Sequence, residues 1–398
     1  MWIDVVLVCV AVVLSIPLLV ISIELLLTLL KSKTIALSSS DLISQVSYKI
    51  IMPAHNEASI IDNTLSLLIG QGVLAENIIV VADNCNDDTA KIAGNLGVVA
   101  LERFNDELRG KGFAIDHGLQ YLKKHETPDV VIILDADCEI DNDSLNLLVE
   151  GCYRQKTPLQ ALYLMRNNAT DSLTRHVAGF AWLVKNKLRP IAMQALGLPI
   201  TLTGTGMAFP WQVIADIKVA HGNIVEDMQL GIDCTLAGFP PQFCIDAIVY
   251  SDFPEHAEAE NTQRTRWEHG HLMTIIQQVP MLCKQAVIRK DWRLLGLALD
   301  LAVPPLSLLV LLSMVGLFLF TIFSYIAGGY DALVLLLTSF IFFSVMLVIT
   351  WWKFGRDYLT LKELCSIPIY VISKISVYIA FIFKRQKSWV RTSRKTNK

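Results

Sequence analysis

An α/β domain with a mainly parallel mixed sheet, tied to a membrane by flanking apolar helices, is the fold the sequence predicts. Three observations predict it. Between Tyr48 and about Tyr250, short apolar runs alternate with helical stretches, the pattern of strands joined by crossover helices. Long apolar stretches precede and follow that region. Across 398 residues only 18% are charged and mean hydropathy is +0.47, too apolar for a soluble enzyme. The net charge of −3 argues against nucleic acid as a partner. The eight cysteines include no C-x-x-C pair, so they read as buried thiols of a reducing compartment.

Residues 3–30 are nearly all apolar and long enough to span a bilayer. A cleaved signal peptide would need a basic start and a small-residue cleavage site. Here the basic residues Lys31 and Lys33 follow the span. Residues 1–33 therefore read as an uncleaved anchor, with the N-terminus outside and the following chain cytoplasmic.

Candidate strands follow at Lys49–Ala54, Asn77–Asp83, Val98–Arg103, Val130–Ala136, Ala161–Arg166, Gly206–Phe209 and Gln242–Tyr250. Helical patterns lie at Ile60–Leu68, Thr89–Leu96, Gly112–Lys124 and Ser144–Tyr153. Together they make a cytosolic domain over residues 45–285. The stretch Val130–Cys138 organises it. Its β-branched run reads as a strand buried on both faces, and it ends on Asp135 and Asp137. Ligands of open α/β sheets sit beyond the carboxyl ends of the strands. Two carboxylates there suit a hard divalent cation, which in turn holds phosphate oxygens; a plain solvated turn is the alternative.

Beyond the domain, Asp291–Asp300 reads as a helix arriving at the membrane surface, and Leu306–Ile326 and Ala332–Trp352 as two spans joined at Gly328–Asp331. These fill a region over residues 291–353. The stretch Leu364–Phe383 is also apolar, but the tail 384–398 carries seven Lys/Arg and no acid. A span would carry that tail outside, against the charge rule, so residues 361–398 read as an interfacial or re-entrant helix with a cytosolic tail. There it can meet anionic membrane lipids.

Further polar clusters close the strands. Pro53-Ala54-His55-Asn56-Glu57 ends the first and Asp83-Asn84-Cys85-Asn86-Asp87 the second. Arg109-Gly110-Lys111-Gly112 opens the third helix, where glycines and two cations suit a phosphate group. Later come Thr203-Gly204-Thr205-Gly206-Met207, Val225-Glu226-Asp227 and Gln263-Arg264-Thr265-Arg266-Trp267. His269 and His271 stand two apart, a spacing that shares no helix face, so a metal pair is disfavoured. His55 and His221 read equally well as structural hydrogen-bonders.

The ordered set from Lys49 to Trp267 resembles the family-2 glycosyltransferases, whose nucleotide-diphospho-sugar-binding fold is called GT-A. Gln263-x-x-Arg266-Trp267 matches the Q-x-x-R-W signature of membrane synthases making cellulose, hyaluronan and poly-N-acetylglucosamine. Trp389-Val390-Arg391-Thr392 is similar to the tail of bacterial exopolysaccharide members. Val225 stands where the family's (T/S)-E-D motif has a hydroxyl residue.

The resemblance implies a metal-dependent inverting transfer from a nucleotide-diphospho-sugar, expected to be UDP-linked, to a glycan or lipid-linked acceptor at the cytoplasmic face of a bacterial inner membrane. It implies Mg²⁺ or Mn²⁺ on Asp135 and Asp137, acting as a Lewis acid. It places Pro53, His55, Asn56, Glu57 and Asp83 at the base and ribose, and Lys111 near the diphosphate. Asp227 becomes the general base, with Glu226 beside it read as a salt-bridge partner. Arg266 and Trp267, with Gln263, would lie over the diphosphate and the acceptor sugar. Asp227 as a helix N-terminal charge and Trp267 as an interfacial aromatic are the plainer readings. A polyprenyl-phosphate sugar transferase and an inactive assembly scaffold are the functional alternatives; a transporter is disfavoured by the few spans. Three spans are few for a sugar-polymer tunnel, so export would need a partner or a homo-oligomer.

Overall fold

The computed structural model describes residues 2–30, 45–168, 171–220, 225–254 and 257–383. Lys31, Lys33, His221 and the basic tail 384–398, with its Trp389 motif, lie outside the described residues. Two compact units divide the chain. One draws on Lys33–Arg166 and Pro199–Gly270; the other on Met1–Ser32, Asn167–Leu198 and His271–Arg385. The segments 167–198 and 271–285 thus group with the apolar helices.

The first unit is built on an eight-stranded sheet: β1 Tyr48–Ala54, β2 Ile78–Asp83, β3 Val99–Arg103, β4 Val130–Ile133, β5 Cys138–Ile140, β6 Leu159–Met165, β7 Met207–Pro210 and β8 Gln242–Ser251. Its spatial order is β3-β2-β1-β4-β7-β6-β8-β5. β1, β2, β3 and β4 pair in parallel, as do β6 and β8, whereas β7 runs against both β4 and β6 and β5 runs against β8. β2 and β4 are buried at every residue, as their continuous apolar runs require. The chain winds outward from β1 through β2 and β3, then returns to place β4 on the other side. That reversal between β1 and β4 is a topological switch point, the natural ligand crevice of such a sheet. β1 pairs with β4 only as far as Ile51, so the N–H that Pro53 lacks has no strand to meet on that side.

The expected strand Val130–Ala136 stops at Ile133. Asp135 accepts a hydrogen bond from the Cys138 backbone at 3.1 Å, so Asp135–Cys138 is a tight turn leading into β5, which the sequence pattern did not disclose. Asp141 caps the next helix, Asn142–Gln155, by accepting from the Ser144 backbone at 2.7 Å.

The second unit contains three helices apolar and long enough to cross a membrane: Trp2–Leu30, Leu306–Ala327 and Asp331–Gly355. The first two and the third meet closely around Gly316, where an added Cβ would lie 2.8 Å from Leu336 Cδ2 and 3.0 Å from Leu14 Cδ1. Small residues allow such approach between apolar helices. Helix Leu306–Ala327 closes on Gly328, at φ 77°, a left-handed conformation that glycine adopts without strain. Arg189 is buried between two carboxylates, donating to Glu24 at 2.8 Å and to Asp300 at 2.6 Å. The stretch Leu364–Phe383 is three short helices, Leu361–Cys365, Ile367–Ser373 and Ile375–Phe383, where one was expected; Pro368 sits in the first turn of the second, where it starts a helix but cannot continue one.

Candidate active site

Two groups of side chains lie at the carboxyl ends of the parallel strands, both within the first unit. At the ends of β1 and β2, the His55 Nδ1 donates to the Asp83 carbonyl at 2.6 Å, which fixes that nitrogen as the protonated one. Asn56 sits at φ 57° and Asn84 at φ 51°, conformations that asparagine tolerates better than most residues. The Asn56 side chain accepts from the Asn86 backbone at 2.7 Å, and the Glu57 backbone donates to Thr89 Oγ1 at 2.9 Å. The Asp83 carboxylate accepts from Arg103 Nη1 at 2.5 Å, and Arg103 Nη2 donates to the Leu108 carbonyl at 2.7 Å. Sequence reasoning missed Arg103, since a basic residue ending a strand carries no signal of its own.

The second group centres on Lys111. Gly110, at φ 127°, turns the chain into helix Lys111–His125. The Lys111 ammonium pairs with Asp135 and donates to the Gly204 carbonyl at 2.7 Å. Burial disfavours its charge, but Asp135, Glu226 and Asp227 outweigh that and push the Lys111 pKa up. Ligand atoms of Asp135, Asp137 and Cys138 lie within 4.8 Å of one another. Burial, then the two carboxylate charges, push the Cys138 thiol well above its usual range. The thiol therefore keeps its proton, and the two carboxylates are the donors that fit a hard divalent ion.

Helix Glu226–Leu236 begins in the same place. Its N-cap is Val225, which makes no side-chain cap, so the hydroxyl residue usual in this motif is not needed to start the helix. Burial first, and the Asp227 charge second, push Glu226 up to about 7, against the pull of Lys111 and Arg266. Arg266 lies on helix Ala257–Arg289, with Gln263 one turn before it on the same face and Trp267 directly after it. Burial lowers the Arg266 pKa while Glu226, Asp135, Asp137 and Asp227 oppose that fall. Its Nε is buried and has no hydrogen-bond partner among the described residues, a donor suited to an incoming anion.

Lys111, Asp135, Asp137, Glu226, Asp227 and Arg266 thus form one electrostatic cluster. Pro53, His55, Asn56, Glu57 and Asp83 form the neighbouring strand-end group. His271, by contrast, is held in the second unit, pushed down to about 3 by burial and by Lys185 and Arg189.

Residues 49–195 match the model of glycosyl transferase family 2, and residues 130–354 that of glycosyl transferase family group 2. Among relatives, the poly-beta-1,6-N-acetyl-D-glucosamine synthase of Staphylococcus aureus is 23% identical over 231 residues, 55% of this chain and 53% of its own length. The probable glycosyltransferase YdaM of Bacillus subtilis is 25% identical over 246 residues, 57% of this chain and 56% of its own. The chain thus spans about half the length of these relatives. Among solved structures, the fold is similar to that of a mannosyltransferase from Pyrobaculum calidifontis, determined with GDP-Man and Mn²⁺. The TM-score is 0.56 at 16% identity, covering 96% of this chain and 100% of that one. The sheet is that of the GT-A fold, and the chain belongs to glycosyl transferase family group 2.

Proposed function

We propose that the chain transfers a sugar from a nucleotide-diphospho-sugar, by single displacement with inversion, to a glycan or lipid-linked acceptor at the cytoplasmic membrane face. The observation that carries this reading is the cluster of opposed charges around Lys111: two cations, Lys111 and Arg266, among four carboxylates. A leaving diphosphate needs cations, and an attacking hydroxyl needs a carboxylate base. The named synthase relative and the Mn²⁺ complex of the similar mannosyltransferase support a divalent ion and a polysaccharide product.

Asp135 and Asp137 are the residues that would hold Mg²⁺ or Mn²⁺, which when bound supplies Lewis-acid stabilisation of the diphosphate. Lys111 and Arg266 neutralise the phosphate oxygens. Asp227 takes the proton of the acceptor hydroxyl, with Glu226 beside it. Asp83, His55, Asn56 and Glu57 bind the nucleoside, and Trp267 offers an indole face to the acceptor sugar. The domain over residues 45–285 is the transferase, and the apolar segments hold it at the membrane.

A panel of nucleotide-diphospho-sugars, scored by release of nucleotide diphosphate from the purified full chain, tests the reading. Release with one or two donors, dependent on Mg²⁺ or Mn²⁺ and absent in Asp137→Ala, is expected. No release from any donor with acceptor membranes present would sink it.

A further inference from the structure

Gln160 is a polar residue inside the sheet, in β6, and only 2% exposed. Its side-chain amide is spent on one loop. Oε1 accepts from the Thr203 backbone at 2.8 Å, while Nε2 donates to the Thr205 carbonyl at 2.9 Å and to the adjacent Ala161 carbonyl at 2.9 Å. The amide therefore grips both sides of Gly204. That glycine, at φ +94°, presents its carbonyl to Lys111 at 2.7 Å. Thr205, fully buried, accepts from the Asp135 backbone through its hydroxyl at 3.1 Å. A Cβ on Gly204 would lie 3.4 Å from Asp227 Oδ2 and 3.6 Å from Lys111 Nζ. The loop held by Gln160 thus touches the residues placed above at the metal, the diphosphate and the base.

We propose that Gln160 is a positioning residue for sugar transfer, fixing the Thr203–Thr205 loop so that Lys111, Asp135 and Asp227 keep their mutual spacing. This rests on the functional reading above. Gln160 touches no reacting atom itself. An amide is the group that serves, because one side chain must accept from an N–H and donate to a carbonyl at once. An apolar residue of similar length would leave Thr203 N and Thr205 O without this clamp. Small displacements of reacting groups are costly in rate, even when the altered residue lies away from the chemistry.

The test compares Gln160→Met, Gly204→Ala and the double variant in the full chain, with the thermal transition and elution volume recorded for each. In folded Gln160→Met, kcat is expected to fall about tenfold or more and by a larger factor than the donor KM rises, since the strand-end group around Asp83 still holds the nucleoside. Gly204→Ala disturbs the same loop directly, so the double variant should lose little more than the worse single variant. Unchanged kcat, or losses that multiply, would overturn the proposal. Should Gln160→Met not fold, Gln160→Glu replaces it, retaining the bond from Thr203 N–H; failure of both to fold makes the residue structural and also overturns it. Wild-type protein without donor turnover overturns the functional reading as well, whereas turnover indifferent to Gln160→Met overturns this inference alone.

Discussion

The Lys111 ammonium pairs with the Asp135 carboxylate at the place where a divalent ion would sit. One cation is thereby a built-in rival for another. In Lys111→Met the rival is gone, so Mn²⁺ affinity without donor should rise several-fold, as titration of the ion's paramagnetic signal would record. Binding of a nucleoside diphosphate should weaken in the same variant, because a phosphate partner is lost. If both affinities fell together, Lys111 would be supporting the site's structure and not competing within it.

Asp137→Ala and chelation probe the ion itself. Either should abolish donor turnover while leaving the thermal transition of the chain nearly unchanged, since Asp137 is partly exposed at a turn. Full activity in excess chelator would remove the metal from the mechanism.

The carboxylate pair at the start of helix Glu226–Leu236 gives a pH signature. Glu226 is pushed up to about 7 by burial and by Asp227, so it gains its charge near neutrality and adds a second negative group beside the base. The transfer rate should rise with pH through about 7, and Glu226→Gln should flatten that rise. Asp227→Asn should cut transfer by roughly a hundredfold or more with donor affinity kept, the usual scale for a lost general base. Loss of donor binding in parallel would make Asp227 structural.

The strand-end site was legible in the sequence because parallel strands announce themselves as continuous apolar runs, and their polar ends follow directly. Asp83 and Asp135 read this way, whereas Lys111 shows as a cation between glycines at a helix start and Asp227 only through its resemblance to a family motif. Gln160 could not: the apolar run was taken to begin at Ala161, one residue after it, and its partners Thr203 and Thr205 lie more than forty residues on. The helix pair Leu173–Leu183 and Arg189–Ala195 also escaped notice. A π-helical turn at Val184–Leu188 separates them and breaks the 3.6-residue phase on which such recognition depends. Helix Ala257–Arg289 was hidden in a different way, since its mixed polarity and Pro280 obscure any single apolar stripe. His176 and Glu363 meet although 187 residues apart, a pairing no local pattern can show.

That last pair has its own pH window. The His176 Nδ1 faces Glu363 at 2.6 Å and its Nε2 faces the Asn168 carbonyl at 3.0 Å. Both ring nitrogens meet acceptors, so the charged imidazolium is the form that satisfies both. Burial opposes that charge, but Asn168, Glu363 and Asp171 outweigh it and raise the His176 pKa. Glu363 is pushed down to about 2, chiefly by His176 and by the Thr360 backbone. The His176 contribution is complete below the ordinary histidine range and is lost as pH rises through its raised pKa. The Glu363 contribution is complete above the ordinary carboxylate range and is lost as pH falls towards 2. Helix Leu361–Cys365 should therefore be best protected from hydrogen exchange between about pH 5 and 6.5, after correction for intrinsic rates. His176→Ala should remove the alkaline loss of protection; its persistence would assign the effect to other groups.

Export is the remaining question for a chain with three candidate spans. A hydrated polymer needs a polar path, and polar groups facing lipid are costly, so the path must be lined by protein. In the described helices most hydroxyls are turned onto backbone carbonyls, while Ser307 meets the Tyr378 hydroxyl and the buried Ser15 and Thr350 hydroxyls have no hydrogen-bond partner among the described residues. Ser313 donates to Leu309, Thr321 to Leu317, Ser324 to Gly329, Thr338 to Val334, Ser339 to Leu335 and Ser344 to Phe340. Glu24, the acid in the first of these helices beyond its opening turn, is paired with Arg189. These groups are spent on nearby partners, and two buried hydroxyls are little polarity to line a tunnel. A single copy should therefore transfer sugar without carrying a polymer across the bilayer. In sealed vesicles with the donor supplied outside, product made by protein shown to be monomeric should stay outside or in the lipid fraction. Long polymer inside the vesicles would mean that three helices suffice, and a partner subunit or an oligomer would no longer be required.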